Sequence, residues 1–271
     1  MMRLFGRWFG RTPASTLDSL CLGIDYSGYP VRVNWQDRCL LAIGESGSGK
    51  SGLLASMLVQ AEPFVQAGLV QLYGIDLKQL ELSASSGLFE RIAVTPDDAL
   101  HLLDELNMMM TKRTEHMAGN TRDYTTSAQF PRVVLVIDEL AQLFRQDTKT
   151  NREFQNRLTA LLGMGRACGF LVWGFSQNPR KEAIPVRDDF YGTTIALRMG
   201  EAEAKLLLPS TALQAGLMPW TFPDIPGLCG MWDPDERRAS LFRTTWVDDD
   251  QLRSLTRDSR ACSAAVPERA A

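Results

Sequence analysis

The stretch Gly44-Glu45-Ser46-Gly47-Ser48-Gly49-Lys50-Ser51 fits the pattern G-x-x-x-x-G-K-[ST]. Glycines lack the Cβ that would block successive backbone N–H groups from turning inward around an anion. A helix starting near Lys50 would point its positive end at the same anion. The eight residues therefore read as a cofactor-binding cradle for the phosphates of ATP. Lys50 would face the β and γ phosphates, and Ser51 would ligate Mg²⁺. The bland alternative is a glycine-rich turn, which needs neither the buried strand before the loop nor the amphipathic helix after it.

Such a loop needs an acidic partner, and "VVLVIDE" supplies one, with Asp138 and Glu139 ending a buried apolar run. Asp138 would hold the Mg²⁺ shell, directly or through water. Glu139 is placed to act as the general base that polarises an attacking water. Acidic residues also favour helix starts, so the pair alone could be a cap. One strand later, Ser176 and Gln177 end "FLVWGFSQ". Gln177 at that position can sense a γ-phosphate or align water, and otherwise caps a loop.

Alternating strands and helices must position these groups. "CLGIDYSGYPVRVNW" reads as two strands around a Ser-Gly turn, and "CLLAI" as a strand buried on both faces. "KSGLLASMLVQAE" has helical spacing that Pro63 should end. "GLVQLYGID" and "RIAV" are further strands. Thr95 fits as the cap of a long helix with Pro96 in its first position, running to about Met117. After "RVVLVIDEL" a helix is expected from about Asn151 to Arg166, then strands "GFLVWGFSQ" and "TTIALRM" and the short helix "EAEAKLLL". A hairpin from "LCGMWD" and "RRASLFRTTW" and a capped helix in "VDDDQLRSL" close the chain. The pattern is α/β, with a mainly parallel central sheet flanked by helices.

Composition narrows the class. With 271 residues, 45% of them apolar, the chain can bury a sizeable core. A net charge of −3 argues against a general polycation, while permitting a local basic lining. No apolar run is long enough to span a membrane, and "MMRLFGRWFGRTP" lacks the apolar stretch of a secretory signal. The five cysteines, Cys21, Cys39, Cys168, Cys229 and Cys262, are dispersed, as reduced cytoplasmic thiols are. The expected organisation is a flexible leader over residues 1–19, one motor-like domain over 20–256 and a disordered tail over 257–271.

The order of these elements resembles the motor domain of the FtsK/SpoIIIE family, in the HerA/FtsK branch of P-loop ATPases. The resemblance spans about residues 20 to 256. It rests on "LLAIGESGSGKS", on "YGIDLK" with Asp76 and Lys78, on "VVLVIDELAQLF", on "LLGMGRACGFLVWGFSQNP" and on "FRTTWVDDDQLRSL". The resemblance implies a RecA-like domain that assembles as a homo-hexameric ring, hydrolyses ATP and pumps double-stranded DNA. The sequence shows no match to the membrane-anchor regions or the winged-helix module of chromosome-segregation members, and a membrane-bound partner is one expectation among others. Many members carry an arginine at the head of the "TTIALRM" strand, where Thr194 stands here. Arg198, four residues on and on the same strand face, is then the candidate trans-acting finger. "ALQAGLMPW" departs from the family's glycine-rich loop, which puts DNA contacts there in question.

Charge offers a separate test. Between Arg145 and Arg187 there are eight basic residues (Arg145, Lys149, Arg152, Arg157, Arg166, Arg180, Lys181 and Arg187) against Asp147, Glu153 and Glu182. A phosphate-tracking surface needs such an excess, although a solvated helix face shows it too. The leading expectation is an ATP-driven DNA translocase serving a mobile element. A polypeptide-engaging secretion-type ATPase, or a nucleotide-binding regulator of a host translocase, would share the same motifs.

Overall fold

The computed structural model describes residues 13–121, 123–190 and 192–257. Most of the expected leader, residues 1–12, and residues 258–271 of the expected tail lie outside the described residues. Ser15 is tied to Gln60, its hydroxyl donating to Oε1 at 2.7 Å.

Ten strands form one sheet. They are β1 (Ser19–Ile24), β2 (Pro30–Asn34), β3 (Cys39–Ile43), β4 (Val70–Ile75), β5 (Phe89–Ala93), β6 (Arg132–Ile137), β7 (Phe170–Ser176), β8 (Gly192–Leu197), β9 (Leu228–Asp233) and β10 (Arg238–Arg243). The helices are α1 (Lys50–Gln66), α2 (Pro96–Met117), α3 (Leu140–Leu143), α4 (Thr148–Met164), α5 (Glu201–Leu207), α6 (Ser210–Gln214) and α7 (Asp249–Ser254). The strand order is β2-β1-β10-β9-β8-β3-β7-β6-β4-β5. From β8 to β5 neighbouring strands run parallel. From β2 to β9 they run antiparallel, and β9 joins β8 antiparallel. The α/β expectation holds: the half of the sheet that carries the phosphate loop is parallel.

The apolar strand runs are explained by burial on both faces. Along β6, Val133, Leu135 and Ile137 join the layer under α2 and α4, packing with Leu102, Leu106, Phe154 and Leu158. The alternate residues Val134 and Val136 join the layer under α1, with Leu53, Leu54, Met57 and Leu58. Strand β3 divides the same way, Leu41 and Ile43 on one side and Leu40 and Ala42 on the other. Two cores thus clamp the sheet, and strand ends at its C-terminal edge are held in register.

Local signals account for most boundaries. Thr95 caps α2, its side chain accepting from the Asp98 N–H, with Pro96 in the first turn. Helix α1 corrects the sequence expectation: it runs through Pro63 to Gln66. The proline removes one N–H late in the helix, and burial of Val65 against the sheet carries the last turn past it. Helix α4 also begins earlier than expected, at Thr148, because Asp147 accepts from the N–H groups of Lys149 and Thr150. It ends at Met164, and a 3₁₀ turn over Gly165–Cys168 leads to Gly169. That glycine has φ +79, and a Cβ there would lie 2.2 Å from the Tyr124 ring.

Candidate functional site

Strand β3 lies between β7 and β8, so the loop that leaves it is flanked by both strand ends. The Gly44 N–H donates to the Ser176 carbonyl, and the Glu45 N–H donates to that of Arg198 at 3.0 Å. Ser48 closes the loop on itself, its hydroxyl donating to the Glu45 carbonyl at 2.7 Å. Gly49 is left-handed, φ +100, and a Cβ on it would sit 2.1 Å from the Gly227 nitrogen. No side chain caps α1. Its first N–H groups are therefore left for a ligand.

A short relay fastens this loop to the antiparallel half. The Gly227 N–H donates to the Ser48 carbonyl at 2.9 Å, and the Thr244 N–H donates to the Gly227 carbonyl at 2.9 Å. The Thr244 hydroxyl then donates to the Gly52 carbonyl on the first turn of α1, at 3.5 Å.

Lys50 folds over the loop, its Nζ donating to the carbonyls of Gly44 at 2.7 Å and Glu45 at 2.8 Å. Burial pushes its ammonium below the ordinary lysine range, and Lys78 adds to that, while Glu139 and Asp138 oppose it.

Asp138 and Glu139 follow β6, two strands from β3. Burial is the largest cause that pushes the Asp138 carboxyl up to about 7, with Asp76, Glu81 and Glu139 adding to it and Lys78 opposing. Glu139 is held at both oxygens. Oε1 accepts from the Ser176 hydroxyl at 2.6 Å and from the Gln177 N–H at 3.2 Å. Oε2 lies 3.6 Å from Lys78 Nζ. The carboxylate is thus aimed by the end of the neighbouring strand β7.

A cavity of about 290 Å³ opens between these elements. Ser46, Gly47, Gly49, Lys50, Ser51, Asp138, Glu139 and Gln177, all singled out in the sequence, line it together. Gly44, Glu45 and Ser48 shape the loop without lining the cavity. Arg198 stands on its flank, 3.5 Å from Glu45 Oε2 and 3.2 Å from Asp224 Oδ1 of its own chain. Lys78 and Glu81 also line the cavity and were not among the expected site residues. The signal for Lys78 was the Asp-x-Lys at the end of β4, because β4 pairs directly with β6, Ile75 beside Ile137. Asp76, 1% exposed, does not reach the cavity; it shapes the loop by accepting from the N–H groups of Lys78 and Leu82.

The donor chemistry suits Mg²⁺. A serine hydroxyl and carboxylates are hard oxygen donors, and the crowding of carboxylates around Asp138 calls for a cation. No group of three or more acidic, histidine or cysteine side chains among the described residues could by itself hold a metal. A nucleotide-borne Mg²⁺, completed by phosphate and water, is what two protein ligands would fit.

Comparison with known proteins agrees with this geometry. The model of the FtsK/SpoIIIE family matches residues 18–127. The DNA translocase FtsK of Staphylococcus aureus is 27% identical over 196 residues, 64% of this chain. That of Listeria monocytogenes is 28% identical over 189 residues, 61% of this chain. The chain spans about a quarter of the length of these curated relatives, 24% in both. Among solved structures, the pCW3 conjugation coupling protein TcpA superposes with a TM-score of 0.72 at 20% identity, over 87% of this chain and 68% of that one. The type VII secretion ATPase EccC of Thermomonospora curvata gives 0.69 at 20% identity, over 92% of this chain and 32% of that one. Motif order, fold and these likenesses converge: over residues 18–127 the chain is similar to the FtsK/SpoIIIE family, and it has the fold of the P-loop ATPases it superposes on.

Proposed function

We propose that this chain binds Mg²⁺–ATP, hydrolyses it and uses the cycle to move double-stranded DNA. The observation that carries hydrolysis is the convergence of Lys50, Ser51, Asp138 and an aimed Glu139 on one cavity. In this reading Lys50 leaves the loop carbonyls for the β and γ phosphates, while Ser51 and Asp138 hold the Mg²⁺, which offsets phosphate charge. Glu139 takes a proton from the attacking water, and Gln177 helps to align that water. Residues 20–256 act as one motor unit, a view supported by a single sheet that runs from β1 to β10.

The DNA reading rests on the likeness to DNA translocases and on exposed cations. Of the eight basic residues between Arg145 and Arg187, four carry an ion pair. Arg157 meets Asp104 and Glu153, Arg166 meets Asp37, and Lys181 and Arg187 both meet Asp188. Arg145, Lys149, Arg152 and Arg180 remain exposed, with no ion pair among the described residues. Arg145, Lys149 and Arg152 follow β6 in the chain, the last two in the first turns of α4, and Arg180 follows β7. The pairing of the other four leaves less free charge for phosphate than the sequence count implied, and a polypeptide as the moved substrate is the second reading.

A homo-hexameric ring is the proposed assembly, since a heterologous interface that closes gives a ring. Arg198 would serve a neighbour's site after releasing Glu45 and Asp224. No helix among the described residues is long and apolar enough to cross a membrane. We place the domain in the cytoplasm, recruited by a separate partner where membrane attachment is needed.

ATP hydrolysis measured with and without linear duplex DNA, across a salt series, tests the proposal. Duplex should stimulate turnover and bind less tightly as salt rises. Replacing Arg145, Lys149, Arg152 and Arg180 together with alanine should flatten the slope of log affinity against log salt by up to ~4, about 0.9 per lost phosphate contact. Hydrolysis indifferent to DNA would favour the polypeptide reading, and absence of hydrolysis the regulator.

A further inference from the structure

We propose that Lys78 is a second ligand of the γ-phosphate, exchanging its partner Glu139 for the phosphate when ATP is bound. This rests on the reading of the cavity as an ATP site. Lys78 comes from the loop after β4, which lies beside β6, so its backbone and that of Glu139 leave adjacent strand ends. The loop is stiff where Lys78 is attached. The buried Asp76 carboxylate accepts from the Lys78 N–H at 3.2 Å and the Leu82 N–H at 3.0 Å. Gln79 is held at φ +56. Mobility is therefore left to the Lys78 side chain, which is 36% exposed and ends 3.6 Å from Glu139 Oε2.

Charge in the cavity gives the exchange its direction. Lys50 and Lys78 are the only cations among the described residues that line it, against Glu81, Asp138 and Glu139. Lys50 springs from the first turn of α1 and lies over the phosphate loop itself. A terminal phosphate between that loop and Glu139 would bring new negative charge directly opposite Lys78. An ammonium shared between a carboxylate and a phosphate dianion shifts toward the denser charge. Glu139 tolerates the loss because Ser176 and the Gln177 N–H still grip its other oxygen. The exchange frees Oε2 to receive a water proton only when a γ-phosphate is present. Without that phosphate, Lys78 stays beside Oε2.

The test is calorimetric titration of ADP and of ATPγS, each with Mg²⁺, into wild type, Lys78→Met and Lys78→Arg. Lys78→Met should weaken ATPγS binding by ~10-fold or more, the scale of a lost charged hydrogen bond, and leave ADP within about twofold. Its kcat for ATP should fall by a similar factor, and Lys78→Arg should recover most of both. Equal loss for ADP and ATPγS, or no loss for either, overturns the proposal and leaves Lys78 as a support of its loop. If wild type binds neither nucleotide, the ATP reading itself falls, a different result from a wild type that binds both without needing Lys78.

Discussion

Asp138 carries a cost, when no cation is bound to it, that a single atom change should remove. Its carboxyl is pushed up to about 7 by burial first, and then by Asp76, Glu81 and Glu139. Between the ordinary carboxylate range and about 7, the folded protein keeps a proton that the unfolded chain has lost. Stability then falls as pH rises through that window and levels off above it. A rise of that size corresponds to on the order of 4 kcal/mol at alkaline pH. Solvent reaches part of the group, and a comparison of pH 5 with pH 8 covers only part of the window, which leaves roughly 2 kcal/mol. Asp138→Asn removes the titration and keeps the shape. In metal-free, nucleotide-free buffer the variant should gain about 5 °C in Tm over wild type between pH 5 and pH 8, at the few degrees per kcal/mol expected for this size. With Mg²⁺ and nucleotide the order should reverse, because the cation rewards the carboxylate that the variant lacks. Thermal unfolding followed by circular dichroism at a series of pH values reads both effects. A Tm difference that stays constant from pH 5 to pH 8 would refute the reasoning, since Asp138 would then ionise as freely in the folded chain as in the unfolded one.

Other outcomes follow from the same geometry. Ser176→Ala removes the 2.6 Å bond to Glu139 and should lower kcat by ~10-fold while leaving the nucleotide Kd within twofold, read by steady-state kinetics beside calorimetry. Glu139→Gln should retain ATP binding and slow turnover by ~10²-fold or more, the loss expected of a general base; full activity would move the base elsewhere. Thr95→Ala should cost about 1 kcal/mol in a denaturant melt, the usual loss of a helix cap, without altering nucleotide affinity.

Motifs with short-range physics were legible in the sequence. The glycine spacing of residues 44–51, the apolar run before Asp138 and the Thr95-Pro96 cap each act within a few residues, and each appears where its pattern pointed. Boundaries that depend on packing were less so: Pro63 argued for a stop, and the burial of Val65 overrode it. Charge was misleading for a similar reason. The neutraliser of Arg157 is Asp104, 53 residues away, and Asp188 lies one residue beyond the basic segment counted in the sequence. The pairing of β8 with β9, Ile195 beside Met231, makes one sheet of two halves, and no local pattern encodes it. Within the site, the position of Ser176 at the end of β7 is visible in the sequence, but its grip on Glu139 depends on the order of the strands.

The relay from Ser48 through Gly227 to Thr244 has a mechanical meaning. The phosphate loop is the buckle between the parallel and antiparallel halves, joined backbone to backbone with no side chain to stretch. Gly49 and Gly227 approach so closely that a Cβ on Gly49 would lie 2.1 Å from the Gly227 nitrogen. A load applied to the β9–β10 hairpin is therefore delivered to the phosphate cradle within two hydrogen bonds, and a swelling of the cradle around its anion is delivered back along the same line. Strain and nucleotide state are two readings of one joint.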